Sequence, residues 1–244
     1  MNMGMAMEMA SAPTWVTVAG WIITCTGFLV AALILVDCYI LGYRQPLRAM
    51  EAVWPITAIY SGPVALWAYY KWGRRSTAKW QEHNVAPEQR VAVTAVTQTI
   101  AGGAASFIGH TLAVPLVMWT GWMIAGKHVW PMILLIAVFA LPLLIGFEYQ
   151  SLADQIQSSA QRLRMAVRIS LLAILAFDLG MGAIMLLVAF VLHYGPTTAA
   201  FWLLMWVGMW LGFVTAYPMV WRLLTRIATE STPRTHVADP SPIR

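Results

Sequence analysis

Uncharged stretches of roughly membrane-crossing length alternate along this chain with short basic ones. The first covers residues 15–41, with Trp15 and Trp21 toward one end and Tyr39 and Tyr43 toward the other, and it closes on Asp37, Arg44 and Arg48. Trp and Tyr gather where a span meets the membrane interface. A second apolar run, 53–70, is broken by Pro55, Gly62 and Pro63. Such breakers persist at membrane depth only where neighbours satisfy the freed backbone groups, so this run is either a kinked span or a re-entrant hairpin. After the polar, basic stretch 71–90, residues 91–125 are too many for one straight crossing and too few for two with a turn. That length predicts an interfacial lead-in followed by a span centred near His110. Further spans are predicted at 130–147, kinked at Pro142, at 169–192 and at 201–217.

The stretch 169–192 carries a single charge, Asp178. A carboxylate there costs about 2.5–3.5 kcal/mol on insertion scales, so it should face protein or water rather than acyl chains. At helical spacing Met181, Gly182 and Met185 share its side, while Leu172, Leu179, Leu186 and Phe190 make a plain apolar stripe opposite. The last span holds Gly208 and Gly212 in a G-x-x-x-G, with Met205 and Met209 on the same side. Helices joined by a turn as short as 193–198 lie antiparallel and adjacent. Asp178, Met181, Met185, Met205 and Met209 are therefore the candidate soft, polar cluster of the interior. Methionine is also the adaptable filler of apolar interiors, and a packing seam is the alternative reading. His110 can pair with Asp178, ligate a metal or satisfy a backbone carbonyl.

Composition narrows the class. With 60% hydrophobic and only 10% charged residues, the chain is a multi-pass membrane protein rather than a soluble domain. Its net charge of +5 comes from Lys and Arg in blocks beside apolar runs, which sets orientation and does not suggest nucleic acid. The two cysteines, Cys25 and Cys38, make no disulfide framework. Three parts follow: a Met-rich tail at 1–13, a transmembrane helical domain at 14–226, and a basic, Pro-containing tail at 227–244. Met3, Met5, Met7 and Met9 alternate in the first tail, and thioethers in such a run suit Cu(I), although a plain low-complexity tail reads the same way.

The expected fold is therefore all-α, a polytopic transmembrane bundle of about six spans with its C-terminus in the cytoplasm. Six spans, the favoured count, put the N-terminus inside and leave Arg44 and Arg48 outside. Five spans plus a re-entrant 53–70 reverse both placements.

Several phrases resemble a bacterial membrane family catalogued as domain of unknown function 4396. They are Gln45 and Pro46, VWPITAIYSGP at 53–63, FEYQ at 147–150, Gly180 and Met181, and FWLLMWVGMWLGFVTAYP at 201–218. The resemblance implies a helical inner-membrane protein. It also implies a His-Cys pair, a further Cys and an Asp in the stretch that here reads ASFIGHTLAV, 105–114. In this chain Gly109, Thr111 and Leu112 match, His110 stands in place of a Cys, and no thiol or acid is present there. Met219 and Val220 follow Pro218 where the family has an Asn.

No G-x-S-x-G, H-E-x-x-H, P-loop or dinucleotide motif is present, which leans away from an enzyme. Two functional classes follow from the residues. One is binding or transport of a soft ion such as Cu(I) through a Met- and Asp-lined bundle, with His110 and the Met tail auxiliary and no certain cofactor. The other is an accessory or assembly subunit of a membrane complex. In either case the lipid bilayer is the first partner, and the Gly208/Gly212 and Gly102/Ser106 faces are candidate docking surfaces for a second copy or another membrane protein.

Overall fold

The computed structural model describes residues 12–86 and 90–231, with side chains as far as 226. The alternating methionines Met3, Met5, Met7 and Met9 and most of the basic tail lie outside the described residues. Five helices are long and apolar enough to cross a membrane: α1 (Thr14–Leu35, continued as a π-helix through Val36–Ile40), α5 (Val91–Thr120), α6 (Val129–Ser151), α7 (Ser159–Leu187, continued through Val188–Leu192) and α8 (Ala199–Ser231). Between α1 and α5 come α2 (Met50–Ser61), α3 (Pro63–Ala68, continued as a π-helix through Tyr69–Gly73) and the short α4 (Ala78–Gln81).

The helices α2 and α3 form a re-entrant hairpin rather than a sixth span. Gly62 makes the bend at φ +51, a left-handed conformation that a residue with a Cβ adopts at a cost, and Pro63 starts the returning helix where its missing N–H is harmless. Near the bend, α2 packs so closely on α1 that a Cβ at Gly27 would collide with the Ile59 carbonyl. Gly27 is midway along α1, so the tip reaches only mid-depth. The returning leg then brings Tyr69 and Arg74 back to Asp37, at the end where α1 finishes. Both ends of the hairpin thus lie on one side. The favoured count of six gives way to five spans plus the hairpin, because length alone made 53–70 fit a crossing that its bend forbids.

With five crossings, every described Lys and Arg except Lys127 falls at the end of the bundle that holds Asp37 and the 152–158 link. The opposite end carries the 121–128 turn, closed by the Ile124–Lys127 bridge, and the 193–198 turn. The lead-in expected before His110 is absent. Residues 91–120 form one continuous helix of about 45 Å, longer than a hydrocarbon core of about 30 Å. Small residues let α5 run that length inside the bundle, since Gly102, Gly103, Ala104, Ala105 and Ser106 are all buried. The polar link before α7 is likewise shorter than expected, because the helix begins at Ser159 and includes Arg162, Arg164 and Arg168.

The two small-residue faces are used within the chain. Gly208 meets Met181 and Ile184, Gly212 meets Phe177, and Gly180 meets the Leu211 backbone. Gly102 approaches Leu144, and Ser106 is buried. Close approach of helices in lipid is what such residues permit, and here the partners are α6, α7 and α8 of the same chain. The Gly208/Gly212 and Gly102/Ser106 surfaces are therefore not free for docking.

Candidate functional site

Helix register puts several chemically distinct side chains at one depth. The helices α7 and α8 run antiparallel with Gly180 against Leu211 and Ile184 against Gly208. Continued along both helices, that register sets Met181 level with Met209 and Met185 level with Met205. All four thioethers are buried in one cluster that also takes in Trp206, Tyr60 and Val114. The helix α5 runs parallel to α7 with Gly103 against Phe177, which brings His110, seven residues further on, level with Ile184. His110 and the four methionines therefore occupy one layer, at the depth where the hairpin ends.

His110 is 2% exposed. Its Nδ1 lies 2.8 Å from the Ser106 carbonyl oxygen, which fixes that nitrogen as the N–H donor. The other nitrogen, Nε2, then carries a lone pair, and it is buried with no hydrogen-bond partner. Second-shell fixing of one imidazole nitrogen is how a ligating histidine is usually held. Ser106 Oγ and Trp206 Nε1 are also buried without partners, and Gln98 Oε1 and Ser170 Oγ are similarly left nearer the basic end. Interiors pair nearly all such groups, so these atoms on α5, α7 and α8 are polar groups for which the described residues supply no partner.

Asp178 sits on the shoulder of the inward face of α7, half-buried, between buried Phe177 and exposed Leu179. Among the described residues it makes no side-chain hydrogen bond or ion pair. It is one turn from Met181, and the apolar stripe of Leu179, Leu186 and Phe190 is exposed on the far side. Among the described residues, no three His, Cys, Asp or Glu side chains gather in a group able to hold a metal ion. Thioether sulfur and imidazole nitrogen are, as ligand types, suited to a soft monovalent ion.

Because the hairpin fills only half the depth, the other half is left open between α1, α5 and α8. A cavity of about 320 Å³ lies there, with Ile59 at the hairpin tip, Trp21, Thr24 and Phe28 from α1, Phe107 and Thr111 from α5, and Trp202 and Trp206 from α8. It reaches from Thr197 and Thr198, in the short outer turn, down to Trp206 beside the methionine layer.

A second polar group, which the apolar pattern gave no reason to single out, closes the base of the hairpin. Asp37 is 2% exposed; its Oδ2 accepts a 2.7 Å hydrogen bond from Tyr69 Oη and lies 3.1 Å from Arg74 Nε, an ion pair without the alignment of a hydrogen bond. With that phenol proton committed to Asp37, the Cys38 thiol, 3.4 Å away, donates to Tyr69 Oη. Two π-helical segments create this meeting by turning Asp37 and Tyr69 inward, and π-bulges recur where a helix serves a special role. On the outgoing leg, Arg44 clasps Glu51 through Nε at 2.7 Å and Nη2 at 2.9 Å. That fork holds the Glu51 carboxyl below the usual carboxylate range. Glu148, 1% exposed near the end of α6 and bonded by Ser151 Oγ at 3.2 Å, is a further buried acid at the same end.

A family profile described as "Domain of unknown function (DUF4396)" matches residues 93–228, from the first turn of α5 into α8. The phrases at 147–150, 180–181 and 201–218 fall within it, whereas those at 45–63 precede it. No curated protein and no solved structure matches the chain.

Proposed function

The chain belongs to the DUF4396 family of unknown function, and from that premise we propose that it is a multi-pass membrane protein that binds Cu(I) at mid-depth and moves it across the bilayer. The carrying observation is His110 Nε2, buried without a partner at the level of Met181, Met185, Met205 and Met209. Neutral thioethers and an imidazole leave the ion's positive charge uncompensated, and Asp178, three residues from Met181, supplies the counter-charge. Discontinuous helices that end at the midplane commonly frame transport sites, which suits the hairpin tip and the cavity beside it. The basic residues gathered at one end support a cytoplasmic position for that end under the positive-inside rule. With that orientation, the alternating methionines Met3, Met5, Met7 and Met9 are the proposed collectors of the ion on the outer side.

Competition of purified protein against a chromogenic Cu(I) chelator tests this reading. Full-length protein with Met3, Met5, Met7 and Met9 all changed to Leu should retain one tight site. His110→Phe and the Met205→Leu/Met209→Leu pair should each weaken it by about a hundredfold, roughly 2.7 kcal/mol. Unchanged affinity in both would end the proposal.

A further inference from the structure

The outer face of the hairpin's returning leg carries a groove that belongs to neither the methionine layer nor the cavity beside it. Pro63, Leu66, Trp67, Tyr70, Lys71 and Arg75 line it, enclosing about 520 Å³. The spacing places all six on one helical face. From Pro63 at the mid-depth tip to Arg75 at the basic end, the leg rises about 18 Å at 1.5 Å per residue, against about 15 Å for half of a hydrocarbon core. The groove is therefore one leaflet long, apolar at its deep end and cationic at its shallow end.

The cations at that end are uncommitted to acids. Among the described residues the two ion pairs are Arg44 with Glu51 and Arg74 with Asp37, which leaves Lys71 and Arg75 without a carboxylate. Lys71 Nζ stands 4.6 Å from the centroid of the Trp67 ring, so its stem lies along the groove wall. Trp67 is 54% exposed and Tyr70 44% exposed, so the groove wall between its deep and shallow ends is aromatic.

We propose that this groove is a binding site for one anionic phospholipid of the leaflet on the basic side. Lys71 and Arg75 hold the phosphate, and Pro63, Leu66 and Trp67 receive an acyl chain. The site takes its length from the hairpin's half-depth bend: a full span would offer no step at which a single leaflet's lipid is matched end to end.

Native mass spectrometry of the full-length protein titrated with phosphatidylglycerol and with phosphatidylcholine tests this. The expected result is retention of one phosphatidylglycerol about tenfold more tightly than phosphatidylcholine, a preference lost in Lys71→Gln/Arg75→Gln and kept in Arg164→Gln. Trp67→Ala should weaken both lipids. Equal retention of the two lipids, or a preference that survives Lys71→Gln/Arg75→Gln or disappears equally in Arg164→Gln, overturns the proposal. Because these residues lie on the exposed face of the leg, circular dichroism of the variants should match wild type, and a variant that fails this check is replaced by Lys71→Met/Arg75→Met.

Discussion

At Asp178 two effects of opposite sign meet. A half-buried carboxylate within a span costs about 2.5–3.5 kcal/mol by insertion scales, so Asp178→Asn should leave the thermal midpoint of the purified protein unchanged or raise it. The same change removes the counter-charge beside Met181 and should loosen Cu(I) by about tenfold, roughly 1.4 kcal/mol. A variant that loses thermal stability and keeps its copper affinity would make the acid a packing group instead. Close packing sets a second residue-level expectation. A Cβ at Gly180 would meet the backbone of Leu211 and Gly212, atoms that cannot step aside, whereas one at Gly182 would meet nothing within 4 Å. Gly180→Ala should therefore destabilise by about 1–3 kcal/mol and Gly182→Ala should be near neutral, both read from thermal unfolding in detergent. The methionines were legible in the sequence because α7 and α8 are joined by a short turn, which makes helical spacing sufficient to align them. Asp37 was not, because its partners Tyr69 and Arg74 are more than thirty positions away and the π-helical turns that aim them have no apolar period.

Both ion pairs among the described residues, Arg44 with Glu51 and Arg74 with Asp37, pin the hairpin. Its outgoing leg is pinned by the Arg44–Glu51 fork, and the fork holds the Glu51 carboxyl below its ordinary value. A lowered carboxyl contributes stability that is complete above the unfolded-state value, about 4.3, and is lost as pH falls through the lower folded-state value. Protection factors for amide hydrogen exchange over residues 50–61, taken against the intrinsic rate at each pH, should accordingly fall on acidification in wild type more than in Glu51→Gln, whose hairpin begins looser and responds less. Identical acid responses would mean the fork does not hold the leg. The bend itself was half-legible: Gly62 and Pro63 announce a break, but a kinked span and a re-entrant hairpin share that signature. What separates them is where the far end returns, and this is a tertiary fact carried by Asp37 with Tyr69 and Arg74. The same limit applies to α5, whose excess length suggested two pieces. Its run of Gly, Ala and Ser instead lets a single long helix pass through the interior.

For the whole molecule, five crossings put residues 46, 76 and 155 on one side and residues 127 and 194 on the other. Single cysteines at these positions, in a chain with Cys25 and Cys38 changed to Ala, should label from opposite faces of oriented vesicles in those two groups. Opposite sidedness of 46 and 76 would restore a sixth span and remove the half-depth tip on which both the cavity and the lipid groove depend. The class of the molecule was plain from the alternation of apolar and basic stretches, and its family from phrases spread from residue 45 onward, the most specific of them at 201–218. The depth that His110 shares with the methionines was not, since it follows from the register between α5 and α7 set by Gly103 against Phe177, a contact between helices far apart in sequence.

X-ray absorption at the copper edge, on Cu(I)-loaded full-length protein with Met3, Met5, Met7 and Met9 changed to Leu, tests the ion site most directly. Thioether sulfur together with one imidazole nitrogen, the nitrogen disappearing in His110→Phe, is the expected spectrum. Failure of this protein to retain copper, or a coordination shell indifferent to His110→Phe, would contradict a soft-ion site at mid-depth.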